Sequence, residues 1–211
     1  VSARPRWYQW VAVSAPHDVF VTIEKYAEGT SEGWRLSLTS KFPVPKTRSF
    51  PALEAVEPFL STDLLRLYVI NNLSSLQEKG IRVKATLIGD NKPVYSAGDR
   101  LSFNVEAPVD GYLYLVNVNP EGAISLLFPQ SGESNYLHAR ESVELPRKGT
   151  IFTVKEPFGE EYVKAIFTRV PIDLSVVSGN QATPADIITR APHGPDAGTA
   201  DVYFRTTKSR D

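Results

Sequence analysis

The stretch DGYLYLVNVNPEGAISLLFPQ, Asp110 to Gln130, constrains the fold of this chain more than any other. Two apolar runs flank Asn119-Pro120-Glu121-Gly122, and a proline followed two positions later by a glycine is the chemistry of a tight turn. The pattern predicts a β-hairpin over residues 110–128. On its first arm Tyr112, Tyr114, Val116 and Val118 alternate with Leu113, Leu115 and Asn117, so both faces carry bulk. Such a strand is expected at the centre of a sheet, buried on both sides or nearly so. The second arm, Ala123 to Phe128, stops at Pro129, which lacks an amide donor and so ends the ladder or confines it to an edge.

The residues around the hairpin repeat the strand signal. Ile81–Leu87 and Leu101–Val105 alternate apolar and polar residues, Tyr95–Asp99 reads as a turn, and short strands are expected at Ser142–Leu145, Gly149–Val154 and Glu161–Thr168. Strands recurring about every ten residues with turn signals between them favour a sandwich over a parallel sheet. The chain is therefore expected to be mainly β, with an antiparallel Ig-like β-sandwich over residues 80–171. A smaller α/β segment over residues 1–79 precedes it. There, Trp7–Val13, Val19–Glu24 and Trp34–Thr39 read as strands, Glu28-Gly29 turns the chain, and Phe42–Pro51, with three prolines, reads as a linker. Between Ala52 and Lys79 the apolar spacing changes to three and four, as on one stripe of a helix, with Ser61 or Thr62 as N-cap of a run from Asp63 to Asn72. Gly80 closes the helical region. Residues 172–211 read as a loop-rich extension, with a short helix at Pro184–Arg190 and Asp201–Thr206 as a candidate last strand.

Composition enters where chemistry is at stake. A chain of 211 residues, 42% of them hydrophobic, is long enough for a real core. With 23 basic and 24 acidic residues its net charge of −1 provides no bulk field for nucleic acid or an anionic membrane. No segment approaches the roughly 20 apolar residues of a membrane span, and no signal-peptide pattern opens the chain. A start at VSARPRW without methionine is what a processed chain, or a piece cut from a longer one, would show. The absence of cysteine removes disulfides, thiolate metal sites and a Cys nucleophile, without reporting the redox compartment.

A family resemblance adds context. Tyr95 and Gly98-Asp99, Asp110–Leu115, Gly122, Leu126–Pro129, Asn135, Leu145-Pro146 and Pro157–Gly159 fall in the order of a bacterial domain family of unknown function. The chain resembles that family over residues 81–171, and more weakly before them resembles the linker that follows caspase-like domains. Members of the family stand C-terminal to caspase-like peptidase, protein-kinase or repeat domains. The resemblance implies architecture and context, and it brings no catalytic residues.

No residue pattern names a reaction. Without cysteine the chain is not itself a caspase-type catalytic domain. His17, His138 and His193 are too far apart in sequence for a two-His spacing and read as loop or surface residues; no Gly-x-Ser-x-Gly elbow is present. Glu156, Glu160, Glu161 and Asp173 read as a solvated turn rather than a cation loop, because hard-cation loops carry denser acidic spacing. Tyr112, Tyr114, Phe128 and Tyr136 read as core packing before an aromatic platform. No cofactor or metal residues are assigned. One candidate partner contact stands out: Tyr136, Leu137 and His138 are the bulky members of the otherwise polar segment Pro129–Arg140. Either they fold back on the core, the preferred reading, or they contact a partner.

The expected role is a non-catalytic accessory module for binding or scaffolding, with a neighbouring domain of the same chain or another protein as partner. Nucleic acid and membrane insertion are not expected. A hydrolase with an unrecognised site and a purely structural spacer are the alternatives.

Overall fold

Alternating apolar residues build sheets in both halves of this protein. A computed structural model describes residues 8–10, 19–28, 31–40, 47–74, 76, 80–89, 94–178, 182–191 and 194–208. The chain divides into two units, Val1–Asn71 and Asn72–Asp211.

In the first unit β1 (Tyr8–Trp10), β2 (Val19–Glu28), β3 (Ser31–Ser40) and β4 (Thr47–Phe50) form an antiparallel sheet in that order. Period two on β3 turns Leu36 and Leu38 inward with Trp34. The helix α1 (Val56–Ser74) lays Val56, Phe59, Leu60, Leu64 and Leu67 on the same cluster, as three–four spacing requires. Two local expectations change. Thr47–Phe50, read as part of a linker, is a strand, because Phe50 pairs opposite Trp34 and packs its ring 5.4 Å from Phe59; residues 41–46 and the turn at Gly29 lie outside the described residues. The helix also starts at Val56 rather than near Asp63. Pro58 falls in its first turn, where a missing amide costs nothing, and the Thr62 hydroxyl donates to the Pro58 carbonyl at 3.1 Å from inside the helix rather than capping it.

The second unit holds β5 (Lys84–Ile88), β6 (Tyr95–Ser96), β7 (Arg100–Glu106), β8 (Gly111–Val118), β9 (Ile124–Phe128), β10 (Tyr136–Leu137), β11 (Ser142–Leu145), β12 (Phe152–Thr153), β13 (Glu160–Thr168), the short helix α2 (Pro184–Ile188) and β14 (Ala197–Thr207). One sheet runs β10-β8-β13-β14-β6 with β9 also on β8; in the other, β7 pairs with β5, β11 and β12. All these pairs are antiparallel except β14 with β6. Between the sheets lies one core, to which Phe103, Val105, Leu113, Leu115, Val163, Ala165, Phe167 and Val202 contribute. The protein is mainly β and its second unit is an antiparallel sandwich.

The hairpin is the centre of that sandwich. Val118 pairs with Ile124 and Val116 with Leu126, and a bulge at Leu127 brings Leu115 opposite Phe128. At the turn Gly122, at φ 86°, donates its N–H to Asn119 O, while Asn119 Oδ1 accepts from the amides of Glu121 and Ala123 at 3.0 and 2.9 Å. This three-residue loop closed by a left-handed glycine is a common hairpin connection. With β13 on one side and β9 and β10 on the other, β8 is buried on both faces. Its outward Tyr114 hydroxyl donates to Ile172 O at 2.9 Å and accepts from Ile172 N–H at 2.8 Å.

The sheet extends past residue 171. β14 pairs with β13 along the whole of Glu160–Thr168, so the candidate last strand at Asp201–Thr206 runs from Ala197 to Thr207 and is a full strand of the sandwich. Tyr95-Ser96, read as the start of a turn, is a short strand parallel to Thr206-Thr207, and the turn itself follows, with Asp99 N–H donating to Ser96 O at 2.9 Å. Ile81 N–H donates to Ala197 O at 3.0 Å, and this crossing is so close that a Cβ on Gly198 would overlap the Ile81 carbonyl and stand 2.9 Å from Val83 Cγ2. Backbone cannot yield as a side chain can. Gly198→Ala is therefore expected to cost roughly 3 kcal/mol, the upper end of overpacking penalties, read as a lower urea midpoint at unchanged m-value.

Candidate functional site

The inward rows of three neighbouring strands each end in a polar residue. On β8 the row is Leu113, Leu115, Asn117; on β13 it is Phe167, Ala165, Val163, Glu161; on β14 it is Val202, Phe204, Thr206. Because β13 runs antiparallel to both neighbours, all three rows finish at the same end of the sandwich. There the sheets leave a pocket of about 370 Å³ lined by these polar residues and by Leu101, Phe103, Phe152, Phe204 and Leu127. Ile151, Lys155 and Glu156, all exposed, stand at its mouth. That volume falls within the roughly 300–1,000 Å³ of small-ligand sites, and apolar walls with a few convergent polar groups are their usual composition.

The polar end is biased towards acceptors. Glu161 is only 8% exposed, and its Oε2 accepts from Asn117 Nδ2 at 3.3 Å. That bond turns the amide nitrogen of Asn117 towards the carboxylate and its oxygen away. Asn117 Oδ1 is consequently turned away, buried and without a hydrogen-bond partner among the described residues. A buried acceptor left in that state costs about 1–3 kcal/mol. Thr206, on the neighbouring strand, is engaged with the backbone: its hydroxyl accepts from Gly159 N–H at 3.0 Å.

The residues singled out from sequence do not converge on this pocket as a set. Leu137 is fully buried in the sandwich core, so it leaves the candidate contact; in the two-residue strand β10 period two turns Leu137 inward and Tyr136 outward. Tyr136 is 37% exposed, with its ring 5.3 Å from both Tyr112 and His138, and His138 is exposed beside Asp110. This patch flanks Gly111 and Tyr112, at the end of β8 opposite Asn117, about 17 Å away along the strand. Tyr114 and Phe128 are buried. His17 and His193 lie outside the described residues. Of the four carboxylates, Glu161 and Glu156 line the pocket, Glu160 lies 3.8 Å from Arg205, and Asp173 accepts from Ser175 N–H at 2.9 Å. No group of three or more metal-ligating side chains forms among the described residues. Sequence reasoning missed Asn117 and Thr206 as site residues. The available signal was a polar residue at an inward phase of an otherwise apolar row.

A second polar cluster lies on the outer face of the same sheet. Lys164, 1% exposed, donates to Asp201 Oδ1 at 2.8 Å, as does the Tyr162 hydroxyl at 2.9 Å. Burial pushes the Lys164 ammonium below the usual lysine range, and Asp201 partly offsets this; burial, then the Asp201 charge, pushes the Tyr162 phenol up. Lys164 Nζ also lies 3.5 Å from the Tyr162 hydroxyl, so the three side chains tie β13 to β14. Asp201→Asn would leave a buried ammonium without its carboxylate, whereas Lys164→Met removes the desolvated charge and leaves Asp201 facing water. Asp201→Asn is expected to cost about 2 kcal/mol, less than the roughly 3–5 kcal/mol of a fully buried pair, and Lys164→Met less than about 1 kcal/mol. Equal losses in urea denaturation of the two variants would refute this ordering.

Residues 94–171 match the family model described as Domain of unknown function (DUF4384), and every pocket-lining residue except Phe204 and Thr206 lies inside that match. None of the curated proteins compared matches the chain.

Proposed function

We propose that the sandwich is a non-catalytic binding module of a larger bacterial protein, with the catalytic work done by another domain, a caspase-like peptidase being the one the resemblance favours. The partner is a neighbouring domain of the same parent chain or a separate protein. One observation carries the reading: the pocket at the end of the sandwich, apolar-walled with an apolar rim residue, Ile151, that is 57% exposed. A spacer has no use for such a cleft. A hydrolase needs a base within reach of a nucleophile; Ser125 lines the pocket, but no histidine does among the described residues, and His138 stands at the far end of β8. Net charge gives no reason to propose nucleic acid, and among the described residues no helix is long and apolar enough to cross a membrane.

Ile151→Asp tests the reading in the full chain. A substitution at so exposed a position is expected to shift the melting temperature by less than about 2 °C. Capture of the parent protein's neighbouring domain, followed by calorimetry, is expected to weaken roughly tenfold, as loss of one buried interface side chain does. Unchanged capture would remove the pocket from the interface. Hydrolysis of ester or peptide substrates by the purified chain, lost in Glu161→Gln, would favour the enzyme instead.

A further inference from the structure

We propose that the pocket receives an extended peptide segment, which pairs with the free edge of β12 as an added strand and sets an apolar side chain between the two sheets. The inference names the partner class of the binding reading above and rests on it.

The edge comes first. β12 pairs with β7 through Phe152–Leu101 and Thr153–Arg100, and just beyond them Val154 N–H donates to Asp99 O while Val154 O accepts from Gly98 N–H, both at 3.0 Å. In an antiparallel ladder the two backbone groups of one residue point the same way and successive residues alternate. Phe152 and Val154 therefore turn theirs to β7, and Thr153 turns its own away. No strand pairs with that side of β12 among the described residues. Thr153 is exposed, and its outward N–H and C=O are a donor and an acceptor that the backbone of another chain complements.

The edge across the pocket, β9, differs. Gln130 Nε2 donates to Leu126 O at 3.3 Å and to Leu127 O at 2.7 Å, so a side chain of the protein already engages two carbonyls at the end of that strand. This favours β12 as the edge that takes a partner.

The position of the pocket gives the side chain. Ile151, Phe152 and Thr153 bound it on one sheet, and Ser125 and Leu127 on the other. A strand added about 4.8 Å from β12 continues its sheet over the space between them. The peptide residue bonded to Thr153 shares its outer face, and the residues on either side of it face inward with Phe152 and Val154, which pack in the core. Those inward positions call for an apolar side chain, because Phe103, Phe152, Leu127 and Val163 line the space beneath.

The test selects peptides from a displayed random heptapeptide library on the full chain, then titrates the ¹⁵N-labelled chain with a selected peptide and its single-site N-methylated forms. Bound peptide is expected to slow solvent exchange of the Thr153 amide at least tenfold. N-methylation is expected to weaken binding roughly tenfold at every second residue and little in between, because alternate amides face away from β12. Thr153→Pro removes the outward donor and no β7–β12 bond, a change that edge strands accept, and is expected to cost a similar factor. Thr153→Ala keeps the amide and is expected to bind as wild type does. Leu127→Trp, at a half-buried wall position, fills the pocket and is expected to abolish binding. If Thr153→Pro unfolds the chain, the N-methyl scan on wild type decides alone. Binding that Leu127→Trp abolishes but that shows no alternation in the scan would overturn strand addition while leaving a binding pocket. Failure of every selected peptide to bind saturably would also overturn it, and capture by Ile151→Asp would then decide the binding reading by itself. Self-association of the chain that Thr153→Pro abolishes would make a second copy the occupant and overturn the peptide partner.

Discussion

Leu115→Asp is expected to abolish cooperative folding of the sandwich unit. Leu115 is fully buried in the central strand, paired with Ala165 on β13 and reaching Phe128 across the bulge on β9, with its side chain in the core between the sheets. Removing a buried leucine costs about 2–5 kcal/mol from lost packing alone. A carboxylate in its place must be desolvated or stay protonated, several kcal/mol more, because the side chains around it are apolar. Against a typical total stability of about 5–15 kcal/mol the sum removes most or all of the folding free energy. Circular dichroism and thermal melting check it: a variant melting within a few degrees of wild type would show that β8 is not the organising strand.

A fragment ending at residue 171 is the second large effect. Strand spacing alone suggests that residues 81–171 fold independently. Pairing argues otherwise, because β14 covers β13 from Glu160 to Thr168 and adds Val202 and Phe204 to the core. Without it β13, whose residues 161–168 are all buried, becomes a long apolar edge exposed to water and to other chains. The fragment 81–171 is expected to show no cooperative urea transition and to aggregate, whereas residues 72–208 are expected to unfold in one transition. A sigmoidal transition of the shorter fragment, with an m-value in proportion to its length, would show that β14 is dispensable.

Both predictions mark how far local sequence reaches. The hairpin was legible because turn chemistry and period two are local: Pro120 and Gly122 dictate the loop, and apolar residues on both faces of Tyr112–Val118 dictate burial on both sides. The same holds for β7, β11 and β13, whose observed bounds differ by a residue or less from those the alternation suggests. Elements whose identity rests on partners were read less well. Thr47–Phe50 pairs because β3 is beside it, Tyr95-Ser96 because β14 is, and Tyr136-Leu137 because Gly111 and Tyr112 are.

The candidate site divides in the same way. Sequence by itself determined that the second half of the chain is an antiparallel β structure with residues 111–118 at its centre, and that Asn117 shares a face with Leu113 and Leu115. It could not place Asn117, Glu161 and Thr206 together, since they come from strands some forty residues apart along the chain. Tertiary structure alone decided that, through the β8–β13 and β13–β14 registers, which set Asn117 opposite Val163 and Glu161 opposite Phe204. Alternation is a property of one strand, fixed by backbone geometry wherever the strand lies, whereas a pocket exists only once register and sheet packing have brought the ends of several strands together.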